Sequence, residues 1–242
     1  MRVLSITVML TLLGGAATLN AQTRDENWKW CTGDNPDMSI RACTALIQSG
    51  NETNKNLAVA FINRGVSYGR KGESDHAIQD LDQAIRFDPG SVVAFTNRGD
   101  MYLDKGEYGR AIQDLDQAIR LDPSHATAYN DRCVCRAALG QLNLALADCN
   151  RALALRPDIA DHIDSRGFVY LKMRNPGAAI ADYNAALAIN PKLASSLFGR
   201  GLAERILGSQ AAAGRDIAAA VAIQPGISSV FARLGVAGQT PN

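Results

Sequence analysis

Apolar and small residues keep a regular rhythm over most of this chain. In five successive stretches a large apolar residue (Phe61, Phe95, Tyr129, Ile163, Leu197) is followed four positions later by a small one (Gly65, Gly99, Cys133, Gly167, Gly201). Further along each stretch two alanines lie seven apart: Ala77 and Ala84, Ala111 and Ala118, Ala145 and Ala152, Ala179 and Ala186, Ala213 and Ala220. Spacings of four and seven place side chains on nearly one helical face, so each stretch predicts two helices that meet through small side chains. Gly72, Gly106, Gly140 and Gly208 separate the halves, and Pro89, Pro123, Pro157, Pro191 and Pro225 stop the second helices. Those prolines recur every 34 residues, and the decapeptide AIQDLDQAIR stands unchanged at 77–86 and 111–120. A single hairpin of this kind cannot bury its apolar face, whereas stacked copies build a continuous core.

Counted from the prolines, the units run 58–91, 92–125, 126–159, 160–193 and 194–227. With this period and F-x-x-R-G-x-x-Y at 61–68 and 95–102, the chain resembles the tetratricopeptide repeat family. The resemblance implies an all-α, right-handed superhelical solenoid of five helix-turn-helix units whose first helices line a concave side. It also implies a non-enzymatic scaffold that binds a protein or peptide there. Departures are local: Cys133 replaces a glycine, Arg136 and Glu204 replace the tyrosine, and the fourth unit turns through MRNPGA.

The family's groove positions are the fifth, ninth, twelfth and thirteenth of each unit. Carried over, they name Ile62, Val66, Gly69 and Arg70; Thr96, Asp100, Leu103 and Asp104; Asn130, Val134, Ala137 and Ala138; Asp164, Phe168, Leu171 and Lys172; and Phe198, Leu202, Arg205 and Ile206. The groove is therefore expected to be mixed early and apolar late. Phe168, Leu171, Phe198 and Leu202 would form one patch, either exposed as a contact site or packed between neighbouring first helices. The Lys and Asn of the clamp that some family members use for acidic tails are replaced by Ile62 and Val66.

Outside the repeats, residues 22–57 predict an N-terminal capping helix. Residues 226–242 predict a C-terminal helix, capped by Ser228 or Ser229, that lays Val230, Phe231 and Leu234 over the open face of the fifth unit, followed by a frayed tail. At the start, Arg2, the apolar stretch VLSITVMLTLLGGAA and the small-residue stop at Ala21 read as a signal peptide over 1–21, and so as a periplasmic or secreted protein. The apolar stretch falls short of the ~20 residues a membrane span needs.

Five cysteines in an exported chain call for pairing. Cys133 stands where other units have glycine, and Cys149 where they have Leu81, Leu115, Tyr183 or Ile217; both exceptions fall in one hairpin, which predicts a Cys133–Cys149 bridge. Cys31 and Cys43 make a second pair, and Cys135 is left over, either as a buried thiol or as part of a redox group with Cys133 and Cys149. Every unit also carries arginine at its seventh place (Arg64, Arg98, Arg132, Arg166, Arg200) and aspartate at its twenty-third (Asp80, Asp114, Asp148, Asp182, Asp216). Equal numbers at fixed spacing favour a row of ion pairs over an anion-binding row.

Charge and composition remove other classes. The formal net charge is +1 and no run of like charge occurs, so the footprint of a nucleic-acid binder is missing. His76, His125 and His162 occupy different repeat positions and would not align as metal ligands. No phosphate loop or nucleophile elbow is present, and neither a cofactor nor a catalytic group is expected. Self-association through the late apolar patch, giving a homodimer, is the remaining alternative.

Overall fold

The computed structural model describes residues 23–236; the stretch 1–21 expected to be a signal peptide and the last residues of the tail lie outside them. Among the described residues the chain forms α-helices and no strand. After α1 (Arg24–Cys31) and α2 (Pro36–Gln48), the helices fall into antiparallel pairs. These are α3 (Asn54–Arg70) with α4 (Ser74–Phe87), α5 (Val92–Asp104) with α6 (Tyr108–Leu121), and α7 (Ala126–Ala138) with α8 (Leu142–Leu155). They continue with α9 (Ala160–Lys172) and α10 (Pro176–Ile189), then α11 (Ala194–Ile206) and α12 (Gln210–Ile223), and the chain closes with α13 (Ile227–Arg233). Each helix packs on the next in sequence, and each first helix also touches the first helix of the following unit. The result is an all-α solenoid with its core spread along the stack.

Small residues set the spacing inside each pair. A Cβ on Gly99 would come within 3.0 Å of Leu115, and one on Gly65 within 3.2 Å of Leu81. Glycine on the first helix is therefore matched to a branched side chain on the second. The third unit solves the same problem differently: Cys133 and Cys149 are both fully buried and joined by a disulfide, with Cα atoms 5.4 Å apart. A side chain is added on one helix and shortened on the other, so the interhelical volume is kept. In the fourth unit Tyr183 takes the leucine's place, and its larger ring reaches on to Gly199 of the fifth, where any Cβ would overlap it.

The Arg–Asp row is a set of bidentate pairs. Arg64–Asp80, Arg98–Asp114, Arg132–Asp148, Arg166–Asp182 and Arg200–Asp216 each join the two helices of one unit through Nε and Nη2, at 2.6 to 2.9 Å. The remaining Nη1 reaches back to the preceding unit's second helix: Arg98 to Asp82, Arg132 to Asp116, Arg166 to Asn150 and Arg200 to Asn184. Each arginine therefore ties three helices, and the fork geometry fixes their register. Several also lie over the aromatic residue of their own first helix, as Arg64 does over Phe61 and Arg132 over Tyr129.

The ends depart from expectation. Two helices precede the repeats rather than one, with the Cys31–Cys43 disulfide between them. Thr44 of α2 accepts the Nη1 hydrogen bond of Arg64, the role that Asp82 plays for the next unit. So α1 and α2 form a shortened hairpin, with α2 placed as a second helix and Cys43 in register with Leu81 and Cys149. At the other end Gly226, not a serine, is the N-cap of α13, and Ser228 and Ser229 lie within the helix.

Candidate protein-binding groove

The first helices carry the sequence-predicted groove positions, and the structure divides those positions into two halves. In the early half a cleft of about 330 Å³ opens between α3 and α5, lined by Val66, Gly69, Arg70, Asn97, Asp100 and Asp104. Ile62 and Leu103 lie half-buried against the core beside it. Thr96 is buried and turned back on its own helix, its hydroxyl donating to the Val92 carbonyl, so it offers nothing to a ligand.

Acidic groups gather on this stretch. Burial, with Asp104 nearby, pushes the Asp100 carboxyl up to about 6. Asp131, a sixth-position residue that the carried-over pattern passes by, is pushed up to about 7 by burial and by the neighbouring Asp100. Burial also raises Asp104, opposed by Arg233 of α13. Further along, burial raises Asp164 to about 6 although the Ser196 hydroxyl donates to it at 2.6 Å. Among the described residues no side chain makes an ion pair with Asp100, Asp104 or Asp131. Next to Asp131, Asn130 is 8% exposed; its amide nitrogen donates to Asp131 while its Oδ1 is buried without a hydrogen-bond partner. Val134 is half-buried, and Ala137 is fully so.

The late half is filled. Of the two expectations for the apolar patch, exposed or packed between neighbouring first helices, the structure shows burial: Phe168, Leu171, Phe198 and Leu202 of α9 and α11 share one cluster with Ile227 and Phe231 of α13. The Phe231 ring stands edge-on to Phe168 at 5.8 Å and tilted against Phe198 at 4.9 Å. Thus α13 does not simply cap the open face of the fifth unit. It rests lightly on α12 and turns its apolar stripe across α11 onto α9, two first helices of the concave side. Burying Ile227 and Phe231 contributes roughly 1.5–3 kcal/mol each before the ordering cost is subtracted. A homodimer through the four late residues would first have to remove this helix.

Polar contacts finish the seat. Lys172 donates to the Leu234 carbonyl at 2.6 Å, at the C-terminal end of α13 where a cation meets the helix dipole. Burial holds the Lys172 ammonium below its ordinary range. The Tyr108 hydroxyl, at the start of α6, donates to the Arg233 carbonyl at 3.1 Å. Beyond the helix a second cleft remains, lined by Leu171, Lys172, Arg174, Leu202, Arg205, Ile206, Gly235 and Val236.

Three family models match the chain: TPR repeat at residues 99–132, and tetratricopeptide repeat at 58–91 and at 166–226. The chain belongs to the tetratricopeptide repeat family. Among solved structures it is similar to a tetratricopeptide repeat protein from Parabacteroides merdae, at 16% identity and a TM-score of 0.66 over 87% of each chain. TTC0263 of Thermus thermophilus superposes with a TM-score of 0.63 at 19% identity, covering 74% of this chain and 97% of its own. YrrB, a TPR protein with an unusual peptide-binding site, matches at 20% identity and a TM-score of 0.53, over 81% of this chain and all of its own length. At these identities the likeness is one of fold. No curated protein matches the chain by sequence.

Tetratricopeptide repeat proteins are generally non-enzymatic scaffolds for protein–protein interaction. Among the described residues no group of His, Cys, Asp and Glu is placed to hold a metal ion. Cys135 is the leftover thiol and is fully buried. Burial first, then Asp131 and Asp100, push its pKa far above the ordinary thiol range, so it is held protonated and away from exchange chemistry. No described helix is long and apolar enough to cross a membrane, and the two disulfides are compatible with an oxidising compartment.

Proposed function

We propose that this protein is an extracytoplasmic adaptor that holds a peptide segment of a partner protein in its concave groove. The observation that carries this reading is the early cleft. It combines an apolar wall at Val66 with carboxylates at Asp100 and Asp104 that no cation of the described chain pairs with. Groups that have lost water without gaining a partner favour a ligand that supplies donors. Arginines and aspartates of the repeat row are consumed in holding helices together, which leaves the groove carboxylates as the unspent charge. Export to the periplasm is supported by the N-terminal sequence pattern and by cysteines paired inside the fold.

The test is capture of partners from a cell-envelope extract on the chain from residue 22, beside a Val66→Glu/Asp100→Lys double variant. Both substitutions lie in the open cleft and leave the core and the ladder intact. A protein retained by the wild type and lost from the folded variant is the expected result. Identical retention by both would move the binding surface off the groove.

A further inference from the structure

The late groove already holds a peptide, and it belongs to this chain. Helix α13 is short, follows a Pro225-Gly226 link, and starts without a side-chain cap. It is seated as a guest would be. Phe231 enters between Phe168 and Phe198, and Lys172 and Tyr108 donate to main-chain carbonyls of the guest at Leu234 and Arg233. Contacts to a main chain hold a helical turn without dictating its sequence. Selection then rests on the aromatic anchor and on charge. Arg233 lies beside Gly106, with its Cδ 3.9 Å from where a Cβ would sit there, on the same edge as Asp104. It acts electrostatically on Asp104 yet forms no ion pair with it among the described residues. Asp104 is therefore faced by the guest's cation but not satisfied by it, and Asp100 beside it has no cation among the described residues.

We infer that α13 is a displaceable internal ligand, and that the partner which replaces it is a peptide helical turn carrying an aromatic anchor and a lysine or arginine placed closer to Asp100 and Asp104 than Arg233 lies. This rests on the groove-binding reading above and specifies its occupant. A partner whose cation reaches Asp100 and Asp104 gains an interaction that α13 leaves unmade, which is the differential affinity an exchange requires. As long as α13 is seated, the affinity for any partner is lowered by the fraction of molecules in which the groove is open.

The test uses the full chain and, as the probe, a fluorescent synthetic peptide with the sequence of residues 226–236. Phe231→Glu in the protein removes the anchor and releases α13, with folding checked by far-UV circular dichroism. The peptide should bind this variant at least tenfold more tightly than wild type, and an Arg233→Glu peptide should lose most of that gain. Because the variant can misfold, hydrogen exchange is read on wild type as well: amides of 227–236 should exchange at least a hundredfold faster than those of α9 and α11. Equal, weak binding to both proteins, or exchange of α13 only together with α9 and α11, overturns the inference. A partner captured by wild type and lost on Val66→Glu/Asp100→Lys, with no peptide binding to Phe231→Glu, overturns it while leaving the groove reading in place.

Discussion

At the scale of single residues the repeat pattern is most informative where it is broken. Glycine faces leucine in the first two units; the third replaces both with cysteine. A Cys133→Gly/Cys149→Leu variant restores the neighbouring pattern and should stay within about 1 kcal/mol of the oxidised wild type in urea unfolding. Cys133→Ser/Cys149→Ser should lose about 2–4 kcal/mol, because it removes the cross-link without restoring the packing. Arg174 takes a positive φ of 58° where four other units have glycine at 75 to 84°. Arg174→Gly should therefore raise stability by about 0.5–1 kcal/mol in the same measurement. Asp131 ties stability to pH. Its folded-state carboxyl is raised to about 7 against about 3.9 unfolded, so the native state binds more protons across that window. Its neighbours there are Asp100, Asp104, the Asn130 amide that donates to it and the buried Cys135 thiol. The contribution is present at low pH and lost as pH rises towards 7. Asp131→Asn should flatten that slope and raise Tm at pH 7.5 by about 2–4 °C.

At the scale of helices, the period and the prolines located every pair, because small residues and helix stops are local signals that stacking does not override. The Arg–Asp pairing was legible from equal counts at a fixed spacing. The third partner was not: Asp82, Asp116, Asn150 and Asn184 vary in charge, and only the geometry joins them to the arginine of the next unit. Arg98 is the sharpest test of that clamp, since it holds Asp114 and Asp82 together. Arg98→Ala should cost about 2–4 kcal/mol by leaving two carboxylates unpaired, and Arg98→Lys less, as the charge stays but the fork is lost. The N-terminal hairpin was read as one helix because α1 is short and polar, with two tryptophans but no apolar stripe of its own; the disulfide and the Arg24–Glu52 pair hold it instead.

For the molecule as a whole, the solenoid followed from sequence, but the state of its groove did not. Val230, Phe231 and Leu234 were legible as an apolar stripe, and Phe168, Leu171, Phe198 and Leu202 as an apolar patch. That the two cover each other depends on where a seven-residue helix lands after the Pro225-Gly226 turn, which no periodicity encodes. Asp131 escaped for a related reason, lying one place away from the positions that repeats usually present. The molecule has an early groove that is acidic and open and a late groove that is apolar and already occupied.

The central claim is that partners bind on the concave side. Its most direct test is site-specific photo-cross-linking in the cell envelope, with the photoreactive residue at Asp104 in the groove or at Gln113 on the exposed face of α6. The account predicts a discrete adduct from position 104 and none from 113. Adducts from 113 alone would contradict it and place the binding surface on the second helices.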